Sequence, residues 1–171
     1  MMMPEIETSR LILRRPTLKD EFALEDLWRN EKVRQFLGGI VEDDVIKERL
    51  TEIQNHWDLH GFGFCAIYKK DTQEIAGICG LRRSEDGLEL SYTFFPTFWG
   101  QGLAKEAAIA CLNYGFTTLE DSSIVAITQD ANHRSCRLLE AIGMKHATSF
   151  TRFDALQRLY EMTRDNYQIF P

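Results

Sequence analysis

The spacing of apolar residues switches repeatedly between a period of two and a period of about 3.6, and each switch marks an element boundary. Glu7-Thr8-Ser9-Arg10-Leu11-Ile12-Leu13-Arg14 reads as an opening strand, with Leu11 and Leu13 on one face and Ile12 on the other. Thr17-Leu18-Lys19-Asp20 offers capping chemistry for a helix over Glu21 to Arg29, which presents Phe22, Leu24, Leu27 and Trp28. Asn30 introduces a short helical piece carrying Val33, Phe36 and Leu37 and ending at Gly38-Gly39. Glu42 to Leu59 predicts a longer amphipathic helix, with Val45, Ile46, Leu50, Ile53 and Trp57 inward and Gly61 as its stop.

Three strands follow, Phe64 to Tyr68, Glu74 to Leu81 and Leu88 to Phe94. The polar turns between them, Lys70 to Gln73 and Ser84 to Gly87, are short enough for an antiparallel meander. Ala104 to Thr118 has helical spacing, with Ala107, Ala108, Cys111, Leu112 and Phe116 on one face, and Ser123 to Thr128 is again a strand. Strand, helix, strand implies a parallel crossover. Asn132 opens a last helix that buries Leu138, Leu139 and Ile142 and closes at Gly143. Met144 to Arg152 and Arg158 to Thr163 complete the chain as two strands joined by a loop. The expected product is an α/β (α+β) fold, a mixed central sheet of about seven strands with helices on both faces. No linker divides residues 1–171, so one domain is expected.

Chemistry concentrates where a strand meets a helix, at Pro96-Thr97-Phe98-Trp99-Gly100-Gln101-Gly102-Leu103-Ala104. Two glycines one residue apart let backbone approach a ligand closely. The first amides of the following helix lack intrahelical partners, and the helix dipole adds positive potential there. Such a helix start can seat a phosphate or pyrophosphate. A P-loop is a poor fit because Leu103 stands where Lys-Ser or Lys-Thr is needed. A dinucleotide fingerprint fits no better, since Lys105 occupies the place of its third glycine or alanine.

The loop does resemble the acyl-coenzyme A loop of the GCN5-related N-acetyltransferases (GNAT), whose pattern is Gln or Arg, two residues, Gly, one residue, then Gly or Ala. Trp99 replaces the Gln or Arg, a departure that is similar to the ribosomal-protein N-acetyltransferase-like branch. Glu7 to Arg14 resembles the family's opening strand, Glu89-Leu90-Ser91-Tyr92 its fourth-strand motif, and Asn132 to Met144 its last-helix motif. Four motifs in order over nearly the whole chain imply the GNAT acyl-CoA N-acyltransferase fold.

The implied reaction is direct transfer of an acetyl group from acetyl-coenzyme A (acetyl-CoA), the co-substrate, to an amine. The acceptor most in keeping with that branch is the α-amine of a protein or peptide. Small-molecule amines such as aminoglycosides or polyamines, and a non-catalytic acyl-coenzyme A sensor, are the alternatives. By the resemblance, Thr93 and Phe94 lend strand edge to the pantetheine arm, and the segment Trp99, Gly100, Gln101, Gly102, Leu103, Ala104 takes the pyrophosphate. Asn132 either reaches the pantetheine or simply caps its helix. Glu89 is the candidate general base, or else a strand carboxylate paired with a nearby arginine. A base matters unequally: deprotonating a lysine at pH 7 costs about 4–5 kcal/mol, an α-amine only about 1.

Many family members protonate the leaving thiolate with a tyrosine seven residues after the asparagine, and Leu139 stands there. The resemblance instead points to Ser135 on the first turn of the last helix, where related ribosomal-protein acetyltransferases place a serine, as a hydrogen-bond donor to sulfur or a proton relay. Tyr160 is a reserve candidate.

Net charge is −6, which argues against a sequence-blind nucleic-acid binder but not against an anionic cofactor gripped by local amides. Apolar runs are too short for a membrane span, and the N-terminus lacks the blocks of a signal peptide. Cys65, Cys79, Cys111 and Cys136 are scattered in apolar runs without redox or metal spacing, which fits reduced thiols and a cytoplasmic location. His56 and His60 lie four apart on a helix but have no third ligand, so no metal is expected. Monomer and homodimer both remain compatible with the sequence.

Overall fold

A computed structural model describes residues 2–167. Its strands are β1 (Ile6–Glu7), β2 (Leu11–Arg14), β3 (Phe64–Lys69), β4 (Ile75–Ser84), β5 (Gly87–Phe94), β6 (Ser123–Gln129), β7 (Lys145–Arg152) and β8 (Ala155–Thr163). The helices are α1 (Glu21–Arg29), α2 (Glu31–Arg34), α3 (Asp43–His60), α4 (Leu103–Thr117) and α5 (His133–Ala141). All eight strands join one sheet in the order β1-β2-β3-β4-β5-β6-β8-β7.

The opening strand is two strands rather than one. Thr8 to Arg10 form a turn in which Thr8 N–H bonds Leu11 O at 2.9 Å and Thr8 Oγ1 takes the Leu11 N–H at 3.1 Å. The chain thereby folds back, placing Ile6 opposite Leu13. A side-chain hydroxyl that satisfies a backbone donor locally competes with continued extension, which is why alternation alone misses the break.

Burial broadly follows the apolar pattern. Leu11, Leu13, Leu24, Leu27, Ile46 and Trp57 are buried, whereas Phe22 is 79 % exposed on the outer side of α1. Every residue of β4 from Ala76 to Leu81 is buried, so both faces of the sheet are covered there. Helix α4 covers one face, its Gly115 facing Leu81 and Leu88; α1 packs on β4 as well, with α3 against α1. No described helix is long and apolar enough to cross a membrane.

Two features prepare the site. A Cβ at Gly77 would stand 2.2 Å from Thr93 O, so only glycine lets β4 and β5 approach closely at that end. On its other edge β5 meets β6 in parallel at a single pair, Glu89 opposite Val125. Beyond it β5 stays paired with β4 up to Phe94, and β6 stays paired with β8 up to Gln129. The two strands therefore diverge, and a wedge opens between them.

His56 has a structural role that fixes its charge. Its Nδ1 bonds Phe62 O at 2.8 Å and its Nε2 accepts the Arg83 N–H at 2.9 Å. Both nitrogens are engaged with main chain, which leaves no lone pair for a metal shared with His60. Burial, with the nearby charges of His60, Arg82 and Arg83, lowers the pKa of His56. A lowered folded value means the folded state binds fewer protons, so this stability is complete above about pH 6.5 and is lost as pH falls below it. Thermal melts at pH 7.5 and 5.5 should show a smaller acid destabilisation in His56→Gln than in the parent; an identical pH slope would remove His56 from the account.

Candidate functional site

The wedge between β5 and β6 is a cavity of about 280 Å³. Leu90 to Phe94 line one wall and Ala126 to Thr128 the other, while Gly100, Gly102, Ala104 and Lys105 form one end. Asn132, Arg134 and Ser135 face them from the start of α5, and Val33 of α2 and Leu37 of the following turn also line the cavity.

Antiparallel pairing decides which main-chain groups face the wedge. Phe95 N–H bonds Ala76 O at 2.9 Å, which makes Phe94 and Gly77 a pair that exchanges no bonds. Phe94 and Tyr92 thus turn N–H and C=O away from β4, toward the opening, and Thr93 turns its own toward β4. The Phe94 carbonyl already accepts Trp99 Nε1–H at 2.8 Å. Trp99 therefore pins the loop to the end of β5, a structural use for the side chain that replaces Gln or Arg.

Gly100 and Gly102 both adopt left-handed backbone, at φ +76° and +77°. Gly102 is the N-cap of α4 with no side-chain cap, and its carbonyl takes the Glu106 N–H at 3.1 Å. The amides before Glu106 point past the helix start without an intrahelical acceptor. Two cations flank them, Lys105 on the helix and Arg134, whose guanidinium lies 3.6 Å from the Trp99 ring centroid. Burial lowers the pKa of Arg134, helped by the charge of Arg137. Free amides, a helix dipole and two cations at one end of a slot fit a diphosphate, and the unpaired strand edge fits a chain of amides.

Asn132 caps its helix, the plainer of the two alternatives the sequence offered. Its Oδ1 accepts the Ser135 N–H at 3.3 Å as a helix cap, leaving Nδ2 free on the cavity side. Ser135 is 9 % exposed, and its hydroxyl lies 2.7 Å from Tyr92 OH. Burial raises the Tyr92 pKa, so the phenol holds its proton at neutral pH.

Glu89 does not line this cavity. It is 7 % exposed, with its carboxylate 3.2 Å from Arg82 Nη2 and 3.2 Å from Ser84 Oγ. It shares a face of β5 with Ser91 and Thr93, which do line the cavity. Tyr160 is fully buried, bonding Glu140 and Arg158, and packs outside the wedge. Cys136 is buried on α5, as expected of a small helix residue. Tyr92, Lys105 and Arg134 belong to the site but were not singled out from sequence. Strand parity carried a signal for Tyr92, whereas the Arg134–Trp99 stack joins segments that nothing local relates.

Residues 10–145 match the family model described as an acetyltransferase (GNAT) domain. The chain belongs to the GNAT acetyltransferases. It is 31% identical over 151 residues to the N-acetyltransferase YoaA of Bacillus subtilis, covering 84% of each chain. The fold of this acetyltransferase is also that of a spermidine N-acetyltransferase from Vibrio cholerae, solved with CoA and spermine, at TM-score 0.77 and 17% identity over 93% of this chain and 98% of that one. A ribosomal-protein-S5-alanine acetyltransferase from Vibrio fischeri aligns at TM-score 0.78 and 13% identity, over 96% of this chain and 99% of that one. Acetyl transfer is thus the activity of the family to which the wedge belongs, and the enzyme's acceptor has to be argued from its own residues.

Proposed function

We propose that the enzyme transfers acetyl from acetyl-CoA to an α-amine of a peptide or protein, within a ternary complex. The observation that carries this reading is the charge on the acceptor side, where three arginines gather with one pinned carboxylate, Glu89, and with Glu52 near Arg49. Arg82 pairs with Glu89. Arg49 lies over the Trp28 ring at 5.9 Å, and buried Arg34 donates to Gly39 O at 2.7 Å and to Leu37 O. Burial and the charge of Arg49 draw the Arg34 pKa down to about 10; burial, and to a lesser extent the charge of Arg82, lower that of Arg49 against the opposing charge of Glu52. Neither Arg34 nor Arg49 has a carboxylate within 4.0 Å among the described residues. A polycation such as a polyamine or aminoglycoside is repelled by such a set. Losing its proton takes little help for an α-amine and strong help for a lysine or polyamine.

Acetyl-CoA supplies the activated acetyl thioester. The open main-chain groups of Tyr92 and the Phe94 N–H, with Thr93 beside them and Asn132 Nδ2 opposite, hold the pantetheine arm. The amides from Gly100 to Ala104, with Trp99 fixing the loop, Lys105 and Arg134, hold the diphosphate. Ser135 and Tyr92 donate hydrogen bonds where the sulfur leaves, which suffices for a thiolate of cysteine-like pKa, about 8.5. Glu89 acts on the acceptor ammonium, directly or through water.

A thiol-release assay with short peptides bearing free α-amines and with spermidine tests the acceptor. Peptides should exceed spermidine in kcat/KM by about tenfold or more, the factor that roughly 1.4 kcal/mol of like-charge repulsion supplies. A preference for spermidine overturns the assignment. Cofactor binding without thiol release to any amine favours the sensor reading instead.

A further inference from the structure

We propose that Arg10 is a positioning residue for the diphosphate seat, holding the Gln101 carbonyl away from the wedge and thereby aiming the Gly102 N–H into it. This rests on the reading that the loop grips the diphosphate of coenzyme A. Arg10 Nη1 donates to Gln101 O at 2.7 Å, and its Nη2 is the nearest neighbour of the Gly102 Cα side. In a trans peptide the C=O and the next N–H point in opposite directions. A carbonyl drawn toward Arg10 therefore turns the Gly102 N–H the other way.

That other way is the wedge. Gly102 and Lys105 line both the wedge and a second, shallower groove of about 700 Å³, so the loop is a partition between the two. Arg10, Thr8 and Glu106 line the second groove only, on the far side of the partition from the cofactor slot. The guanidinium reaches across the back of the loop rather than into the slot.

Arg10 is itself held. Its Nε donates to Glu106 Oε1 at 2.8 Å and its own N–H to Glu106 Oε2 at 2.9 Å, while Thr8 Oγ1 lies 2.6 Å from the same Oε2. Burial works to raise the Glu106 pKa, but the bonds from Thr8 and Arg10 outweigh it and hold the group below its ordinary value, ionised at neutral pH. A charge-assisted fork of this kind fixes orientation as well as distance. It gives a task to the break between β1 and β2, because the turn at Thr8 to Arg10 is what presents both donors to Glu106. It also explains a glutamate on the first turns of α4 whose carboxylate faces backward.

A plain staple between the β1–β2 turn and α4 would use the same contacts, so the test must separate aiming from fastening. Coenzyme A and pantetheine share the arm, and only the former has the diphosphate. Calorimetric titration of Arg10→Met should show coenzyme A binding weakened about tenfold while pantetheine affinity stays within about twofold of the parent. Arg10→Lys should recover part of the loss, since one ammonium reaches Gln101 O or Glu106 but not both. Glu106→Gln, which keeps shape and loosens Arg10, should shift coenzyme A in the same direction by less, and it decides the matter if Arg10→Met does not fold. Equal weakening of both ligands, or no weakening of either, overturns the proposal. A parent protein that binds coenzyme A no better than pantetheine refutes the diphosphate seat itself, a distinct result.

Discussion

Valine at position 102 should weaken coenzyme A binding by about 30-fold or more while leaving the fold in place. Gly102 sits at φ +77° and ψ 11°, where an ordinary L-residue costs about 1–2 kcal/mol, a factor of about 5–30, and a β-branched one more. Space is not the obstacle, since the nearest atom to an added Cβ is Arg10 Nη2 at 3.4 Å. The loop can relieve the strain only by rotating φ to negative values, and that rotation carries the Gly102 N–H out of the slot. Gly87→Val is the control: Gly87 has φ +119° and open space around it, far along β5 from the loop. Both variants should lose about 2–8 °C in Tm, whereas only Gly102→Val should lose affinity. Unchanged coenzyme A affinity in Gly102→Val would mean that the loop does not grip the cofactor.

The hydroxyl pair should behave as one unit. Ser135→Ala and Tyr92→Phe are each expected to lower kcat by about 10–100-fold, short of the roughly 10²–10³-fold seen when a donor to a developing oxyanion is removed. Sulfur is the softer and more stable anion, so less depends on each donor. The hydroxyls are 2.7 Å apart, and the phenol is buried and protonated, so loss of either breaks the same relay. The double variant should therefore be no slower than the worse single one, and KM for acetyl-CoA should move little. Independent, multiplicative losses would assign the two groups separate tasks. Single variants with parental kcat would return Ser135 to the role of a first-turn helix residue.

These experiments divide along what was legible in the chain. Period and caps were enough to place α1 at its observed bounds, to end α3 at Gly61 and to open α5 at Asn132, because each signal acts within a few residues. The glycine loop was legible for the same reason, as left-handed backbone at the start of a helix requires glycine locally. Phe22 was grouped with Leu24, Leu27 and Trp28 but lies exposed, because apolar character alone does not say which side of α1 has a neighbour. The break in the opening strand escaped notice because apolar alternation does not register the local Thr8–Leu11 bonds, nor Glu106, 98 and 96 residues away, which holds the turn.

Sequence by itself determined the order and kind of the elements and the glycine loop, since these rest on local propensity and on spacing along the chain, and its motifs carried the resemblance that implied the fold. Tertiary structure alone decided that Glu89 is held by Arg82 outside the cavity, that Tyr92 meets Ser135 within it, and that Arg134 stacks on Trp99 at its end. The cavity that the last two line depends on the divergence of β5 from β6. That divergence is a property of how strands pair across the sheet, and no stretch of residues encodes it alone.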